Sequence, residues 1–519
     1  MIQTFKNKNF FDIFFIVLIV LFFIYLFFNL NIINSGYHII DDHEILYFPS
    51  IINKDTFFDI LSNFIKTDGR FRPVYWIHRI SLFYFFKANF FLYYFEFFIL
   101  GILSSLCLFF TFKSISKSRL CSLILLCFLF FCHSLSIFTR LGYGELLSLT
   151  LLSCSLFFMT LKNDKYKFLN QSLSLFFLIL CMLSKEQFLI AVPFILLFKI
   201  LYDSKSKNVS FISALKNNFI YILISSILFL IVLGFAYAFM GKDFSSHYVI
   251  SLKISYLLDS LYYVLNIDYI KQYVYEYILF VFISISGLFF IKSDKKTEYI
   301  TYIFIIFIFV LSQLIFINLT PNNGFQFRYL FPAVLSPVIM LAVFLKEFRE
   351  KNYILYYFLL ISIIVCAFFN LKYYSFSYVK QENDNNIVFN NYLEKTKSIL
   401  NKEDNILLIG SAVNTMEFFE SLARYYNHYG YKNVYIFANA NKSYDLLSDF
   451  EKNLYNYLSL RFENMRLKDM KKDAKLIISF EYTDENKKYN EKSSMIDFQN
   501  LYQKINDKYM ITDFYVRKN

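Results

Sequence analysis

Three carboxylates and an imidazole stand in four consecutive positions, Asp41-Asp42-His43-Glu44, shortly after the first long apolar run. Two carboxylates held together repel, so one retains its proton to higher pH unless a cation lies near, which suits a general base or a divalent-metal ligand. The plainer alternative is a solvated acidic cap on a following helix. Arg70 and Arg72 flank Phe71 ahead of Pro73 and lead into an aromatic stretch through Trp76 and Tyr84. Arginine makes bidentate contacts with phosphate oxygens, although Arg and Trp also anchor interfacial helices with no substrate at all. Arg140 and Glu145 bracket a Leu-Gly-Tyr-Gly turn, and Lys185-Glu186 sits in an equally short turn where a mutual ion pair is the alternative to a binding role. Arg328-Tyr329 opens another apolar run, and an arginine at the outer end of a span calls for an anionic partner. His43 is the histidine placed to join a metal site; His38, His78, His133, His247 and His428 show no ligand spacing.

The elements that must position these groups are membrane spans. Of 519 residues 57% are hydrophobic and 22% aromatic, with mean hydropathy +0.45, which excludes an ordinary soluble fold. The reading is about eleven helical spans, beginning near Phe11, Phe90, Leu120, Glu145, Phe168, Phe188, Phe219, Val274, Tyr299, Tyr329 and Tyr353. The first is too long for a signal peptide and lacks a cleavage site, so it reads as retained. The net charge of +12 is scattered through short loops and does not form one basic face, which reports topology and excludes nucleic acid. With Lys6 and Lys8 cytoplasmic, the basic loops fall on that side by the positive-inside rule, and the segments after the first span, around 241–273, and beyond Leu371 fall outside. All seven cysteines lie in or beside apolar runs with no Cys-x-x-Cys spacing, so neither a disulfide framework nor a thiolate metal site is expected.

Beyond about Ser375 the chain turns polar. Short apolar runs at Asn405–Gly410, Asn433–Phe437, Lys475–Phe480 and Met510–Val516 read as strands, with helical stretches at Met416–Tyr426 and Tyr444–Leu458. A small soluble α/β domain follows, without a Gly-rich phosphate loop. The excess of Asn, Lys, Phe and Tyr reads as the base composition of the genome.

In order and place, these residues resemble the C-class (GT-C) integral-membrane glycosyltransferases, which include protein O-mannosyltransferases and the aminoarabinose transferase of lipid A. Asp41-Asp42 resembles that family's acidic pair in the first outer loop, and Arg140 with Glu145 its next acidic position. Leu183-Ser184-Lys185-Glu186 followed by Pro193 resembles a Leu-Thr-Lys-Gly-Pro segment, with Glu186 and Gln187 in place of Gly-Pro. Arg328-Tyr329 with Pro332 resembles a late Arg-Tyr-x-x-Pro, and Arg72-Pro73 a variant first loop.

The resemblance covers roughly residues 1–371 and implies a mainly α fold there, a polytopic bundle with amphipathic interfacial helices in the first outer loop. The tail over 372–519 resembles no family and is expected, from its strand-like runs and the charge of the loops, to be an extracytoplasmic α/β domain. The resemblance implies transfer of a sugar, with inversion, from a polyprenyl-phosphate donor to a lipid, glycan or protein acceptor at the outer face of a bacterial plasma membrane. Asp41 would be the general base. Asp42 and Glu145 would orient the acceptor or, with Asp41, hold a divalent cation, magnesium or manganese. Glu44, Arg70, Arg72, Arg140, Lys185, Arg328 and Tyr329 would bind substrate. Two rivals remain: a glycan polymerase or ligase, which typically lacks an acidic pair after the first span, and a lipid or glycan flippase, which would place charges mid-span, where Glu96 is the exception.

Overall fold

A chain in hydrocarbon must satisfy its backbone hydrogen bonds within itself, so the apolar runs fold as helices. The computed structural model describes residues 2–38, 42, 44–46, 56–67, 71–131, 133–142, 144–161, 164–189, 191–207, 209–240, 300, 303, 331–372, 376, 379–410, 416–438, 474–480, 502–504 and 512–517. The helices are α1 (Ile2–Asn29), α2 (Phe57–Thr67), α3 (Pro73–Phe86), α4 (Phe90–Ser116), α5 (Arg119–Phe131), α6 (Glu145–Thr160), α7 (Lys167–Met182), α8 (Ala191–Lys207), α9 (Phe211–Asn217), α10 (Phe219–Met240), α11 (Phe331–Lys351), α12 (Tyr353–Asn370), α13 (Lys380–Ile399) and α14 (Met416–His428).

Among the described residues three helices are long and apolar enough to cross a bilayer: Phe10–Asn29, Phe90–Ser116 and Tyr353–Asn370. A fourth span results if α9 and the apolar part of α10, bent by 70° at Asn218, are taken together. Arg119–Phe130, Glu145–Thr160 and Lys167–Met182 are shorter apolar helices. The chain is thus a multi-pass membrane protein; the starts expected near Val274, Tyr299 and Tyr329 lie outside the described residues. Helix α4 is central, packing on α1, α5, α6 and α11. Buried Ser104, Ser105, Thr111 and Ser153 keep α4 and α6 slim, and Thr150 Oγ1 donates across to the Leu100 carbonyl at 3.2 Å.

Two short helices follow the first span: α2 is amphipathic, whereas α3 is apolar around most of its circumference. Pro73 opens α3, where a missing N–H costs nothing. Helices α2 and α3 share a small core of Ile60, Phe64, Tyr75, Trp76, Ile80 and Phe83, with Phe64 stacked on Trp76 at 4.5 Å. Phe58 and Phe85 point outward, 77% and 80% exposed, the pattern of helices resting on a membrane surface.

The C-terminal segment forms a sheet in which the described strands are β1 (Asn405–Gly410), β2 (Val434–Ala438), β3 (Ala474–Phe480), β4 (Tyr502–Lys504) and β5 (Thr512–Arg517), in the order β2-β1-β3-β5-β4. Strand β1 runs parallel to β2 and β3; β5 is antiparallel to β3 and β4. The four apolar runs all became strands, and Tyr502–Lys504 adds one too short to read from the sequence. Helix α14 occupies the first helical stretch; the second, Tyr444–Leu458, lies outside the described residues. The core of this segment contains Ile406, Leu408, Phe419, Leu422, Tyr426 and Leu476, and also Tyr37 and Leu46 from the loop after α1.

Candidate active site

The acidic loop after α1 is fixed by its own backbone. Gly36 takes φ +73°, a conformation side chains with a Cβ rarely adopt, and its carbonyl accepts from the Tyr94 hydroxyl at 3.1 Å. Six residues on, Asp42 is fully buried. Its Oδ2 accepts the His38 N–H at 3.0 Å, and its Oδ1 accepts the N–H groups of Leu141 at 2.8 Å and Gly142 at 3.1 Å. Asp42 therefore ties the loop after α1 to the turn before α6. A carboxylate holding three backbone donors is a structural anchor, because removing it would strand those donors without water.

The turn before α6 is gripped from the other side by Tyr75. Its hydroxyl lies 2.9 Å from the Gly142 carbonyl and 3.3 Å from Glu44 Oε2, and so reaches both connections. Gly144 lies against the ring: a Cβ there would sit 2.9 Å from Tyr75 Cδ2. Arg72, nearly buried at the N-cap of α3, places its guanidinium over the Tyr75 ring at 4.9 Å and the Trp76 ring at 5.9 Å. The Val74 N–H donates to the Leu183 carbonyl at 3.1 Å, which fixes the start of α3 to the turn that carries Lys185.

Glu145, the first residue of α6, is fully buried, and Lys185 Nζ faces its Oε1 at 3.3 Å. Lys185 thus has a partner on the neighbouring turn; the side chain of Glu186, the other member of the Lys185-Glu186 pair, lies outside what is described. Apart from that Lys185 contact, the described residues give neither Glu145 oxygen a hydrogen bond in this water-poor setting. Glu44 is also approached by Arg79, whose Nε lies 4.0 Å from Oε2 and whose guanidinium sits over the Tyr93 ring at 5.3 Å. Glu96, the acid within α4, meets His78 Nε2 at 3.2 Å.

Arg140 reaches the C-terminal segment, where its Nη2 and Nε donate to Glu382 Oε1 at 3.1 and 3.3 Å. Tyr37 reaches the same segment, donating to the Ser421 carbonyl at 2.8 Å; burial pushes its phenol well up, so it stays a donor. Of the expected site residues, Asp42, Glu44, Arg72, Glu145 and Lys185 are brought onto contiguous loops and helix ends. Asp41, Arg70, Arg328 and Tyr329 lie outside the described residues. Tyr75 and Glu382 were not anticipated: Tyr75 had a signal in its place three residues after Arg72 on one helix face, Glu382 had none.

Among the described residues no group of three His, Cys, Asp or Glu side chains could hold a metal ion. The described members of the set expected to bind magnesium or manganese are already engaged, Asp42 by backbone donors and Glu145 by an ammonium.

The crystal structure of ArnT from Cupriavidus metallidurans bound to undecaprenyl phosphate is similar over 96% of this chain and 97% of that one, with TM-score 0.51 and 10% sequence identity. At that identity the likeness is one of fold. No family profile and no curated protein matches the sequence.

Proposed function

We propose that the chain is a membrane glycosyltransferase that takes a sugar from a polyprenyl-phosphate donor and passes it to a hydroxyl of a lipid, glycan or protein acceptor. The observation that carries this reading is the buried Glu145–Lys185 pair, 3.3 Å apart, set beside the acidic loop that Asp42 anchors and the Arg72 end of α3. The similarity of fold to a structure bound to undecaprenyl phosphate supports it.

The chemistry divides the acidic pair. Both oxygens of Asp42 are committed to backbone N–H groups, so base duty falls to Asp41, its neighbour in the chain. The Asp41 carboxylate takes the proton of the acceptor hydroxyl as that oxygen forms its bond to the anomeric carbon. The bond from that carbon to the phosphate oxygen breaks on the opposite side, its electron pair leaving with the polyprenyl phosphate, so the configuration inverts. Glu145 accepts a hydrogen bond from the acceptor and orients it. Lys185 and Arg72, joined by Arg70 and Arg328, offset the negative charge that grows on the phosphate.

In this reading the eleven spans place the N-terminus in the cytoplasm and the site and C-terminal domain outside a bacterial plasma membrane. A flippase finds support in the 70° bend at Asn218 and in Glu96 within α4, but Asp42, Glu44, Arg72, Arg140, Glu145 and Lys185 gather at loops and helix ends. The test is transfer of labelled sugar from native lipid-linked donors by wild type and by Asp41→Asn at matched expression. Loss in the variant alone supports the assignment; equal transfer by both removes Asp41 as base. No transfer by wild type, with several acceptors supplied, favours the transporter.

A further inference from the structure

We infer that α13, the first helix of the C-terminal segment, is a positioning element of the site: Glu382, Asn383, Asn386 and Asn390 set the acidic loop and the turn before α6 relative to each other. The catalytic consequence rests on the transferase reading; the positioning itself does not.

The helix has two faces of work. Asn383, Asn386 and Asn390 are spaced three and four apart, hence on one side of the helix. Asn383 Nδ2 donates to the Leu30 carbonyl at 2.8 Å, and Asn386 Nδ2 to the Ser35 carbonyl at 2.6 Å. Asn390 Nδ2 donates to the carbonyls of Tyr37 at 2.8 Å and Ser35 at 3.2 Å. Asn383 and Asn386 are buried, so these amides are the substitutes for water that the loop backbone requires. Further along the helix, Phe389 and Leu393 enter the core that also takes in Tyr37 and Leu46 from the same loop.

These contacts close into a ring. From Asn386 the path runs to Ser35, whose Oγ lies 2.9 Å from His38 Nε2, and the His38 N–H donates to Asp42. Asp42 accepts from Leu141 and Gly142; the adjoining Arg140 returns to Glu382 on α13. Gly36 closes the space beneath, since a Cβ there would lie 3.1 Å from Asn390 Nδ2. Helix α13 thus holds both ends of the Asp42 bridge. A C-terminal segment that only decorated the bundle would have no reason to supply the polar partners of the loop's buried carbonyls.

The test uses the full-length protein in nanodiscs, with hydrogen exchange and transfer kinetics measured on the same samples. In Asn383→Ser/Asn386→Ser/Asn390→Ser, amides in 30–46 and 139–145 should exchange at least about tenfold faster, while those inside α4 and α6 keep their protection. The transfer kcat should fall about tenfold or more, with donor KM changed by less than about threefold. Glu382→Gln should show a smaller shift of the same pattern, and Arg140→Glu/Glu382→Arg should restore slow exchange and part of kcat. Unchanged exchange in both segments overturns the inference, as does faster exchange with unchanged kcat. If the triple variant loses protection throughout, Glu382→Gln decides by the same criteria. If wild type transfers no sugar, the transferase reading fails and the exchange result alone decides whether α13 positions the loop.

Discussion

Lys185 and Glu145 face each other across two turns at 3.3 Å, with side-chain exposures of 6% and 0%. Two charges this far from water are tolerated because each is the other's partner, and removing one leaves an uncompensated buried charge that costs about 3–5 kcal/mol. Lys185→Met should therefore lower the thermal midpoint sharply and abolish transfer. Glu145→Gln/Lys185→Met should regain most of the midpoint and none of the activity, because the cation proposed to offset the charge on the departing phosphate is gone. Midpoints that track activity across both variants would assign the pair to folding alone.

The acidic pair separates in the same two measurements. Asp42→Asn keeps the shape but turns one acceptor into a donor, so at least one of the N–H groups of His38, Leu141 and Gly142 loses its partner, at about 1–3 kcal/mol each. The expected result is loss of stability and activity together. Asp41→Asn should lose activity at least about a hundredfold, within the range of general base catalysis, with the midpoint held. Equal midpoint losses in the two variants would give Asp41 an anchoring role like that of its neighbour.

What the sequence could and could not show follows from how far apart the partners lie. Helix α4 and strands β1 and β3 were legible, since periodicity and apolar runs are local signals. The helical stretch through Trp76 and Tyr84, α3, was legible for the same reason, though it is apolar around most of its circumference. The pairing of Arg140 with Glu382 spans 242 residues, and the bond from Asn386 to Ser35 spans 351, so no local pattern reports either. The asparagines carried a signal that compositional reasoning discarded: Asn excess reads as genome bias, yet Asn383, Asn386 and Asn390 share one helical side and fill backbone carbonyls. Asp42 was singled out for its charge, and the structure gives it a task in which that charge holds amides.

Gly144 marks a close approach that the sequence left as part of a tight turn. A methyl group there would meet Tyr75 Cδ2 at 2.9 Å and Cε2 at 3.3 Å, so the ring must move. The Tyr75 hydroxyl would then leave the Gly142 carbonyl, and Arg72 would lose its stacking partner. Gly144→Ala should cost about 1–3 kcal/mol, the usual range for overpacking, and reduce transfer. Combining it with Tyr75→Leu should cost less than the sum of the two single variants, because the clash is shared. Strict additivity would place the strain elsewhere.

His428 joins the C-terminal segment to the loop after α1. It ends α14 and hydrogen-bonds the Leu46 backbone; burial first, then the Lys397 ammonium, pull its pKa below the ordinary 6.5, while that bond opposes them. The unfolded chain then takes up a proton at higher pH than the folded one, so the histidine lowers stability as pH falls from about 6.5 through the folded value, and has no effect above. The thermal midpoint of wild type should decline over that window more steeply than that of His428→Gln, and the two should run parallel at pH 7.5 and above. Exchange of the Leu46 segment should rise over the same window in wild type only. Parallel curves throughout would show that His428 has the same affinity for a proton in both states.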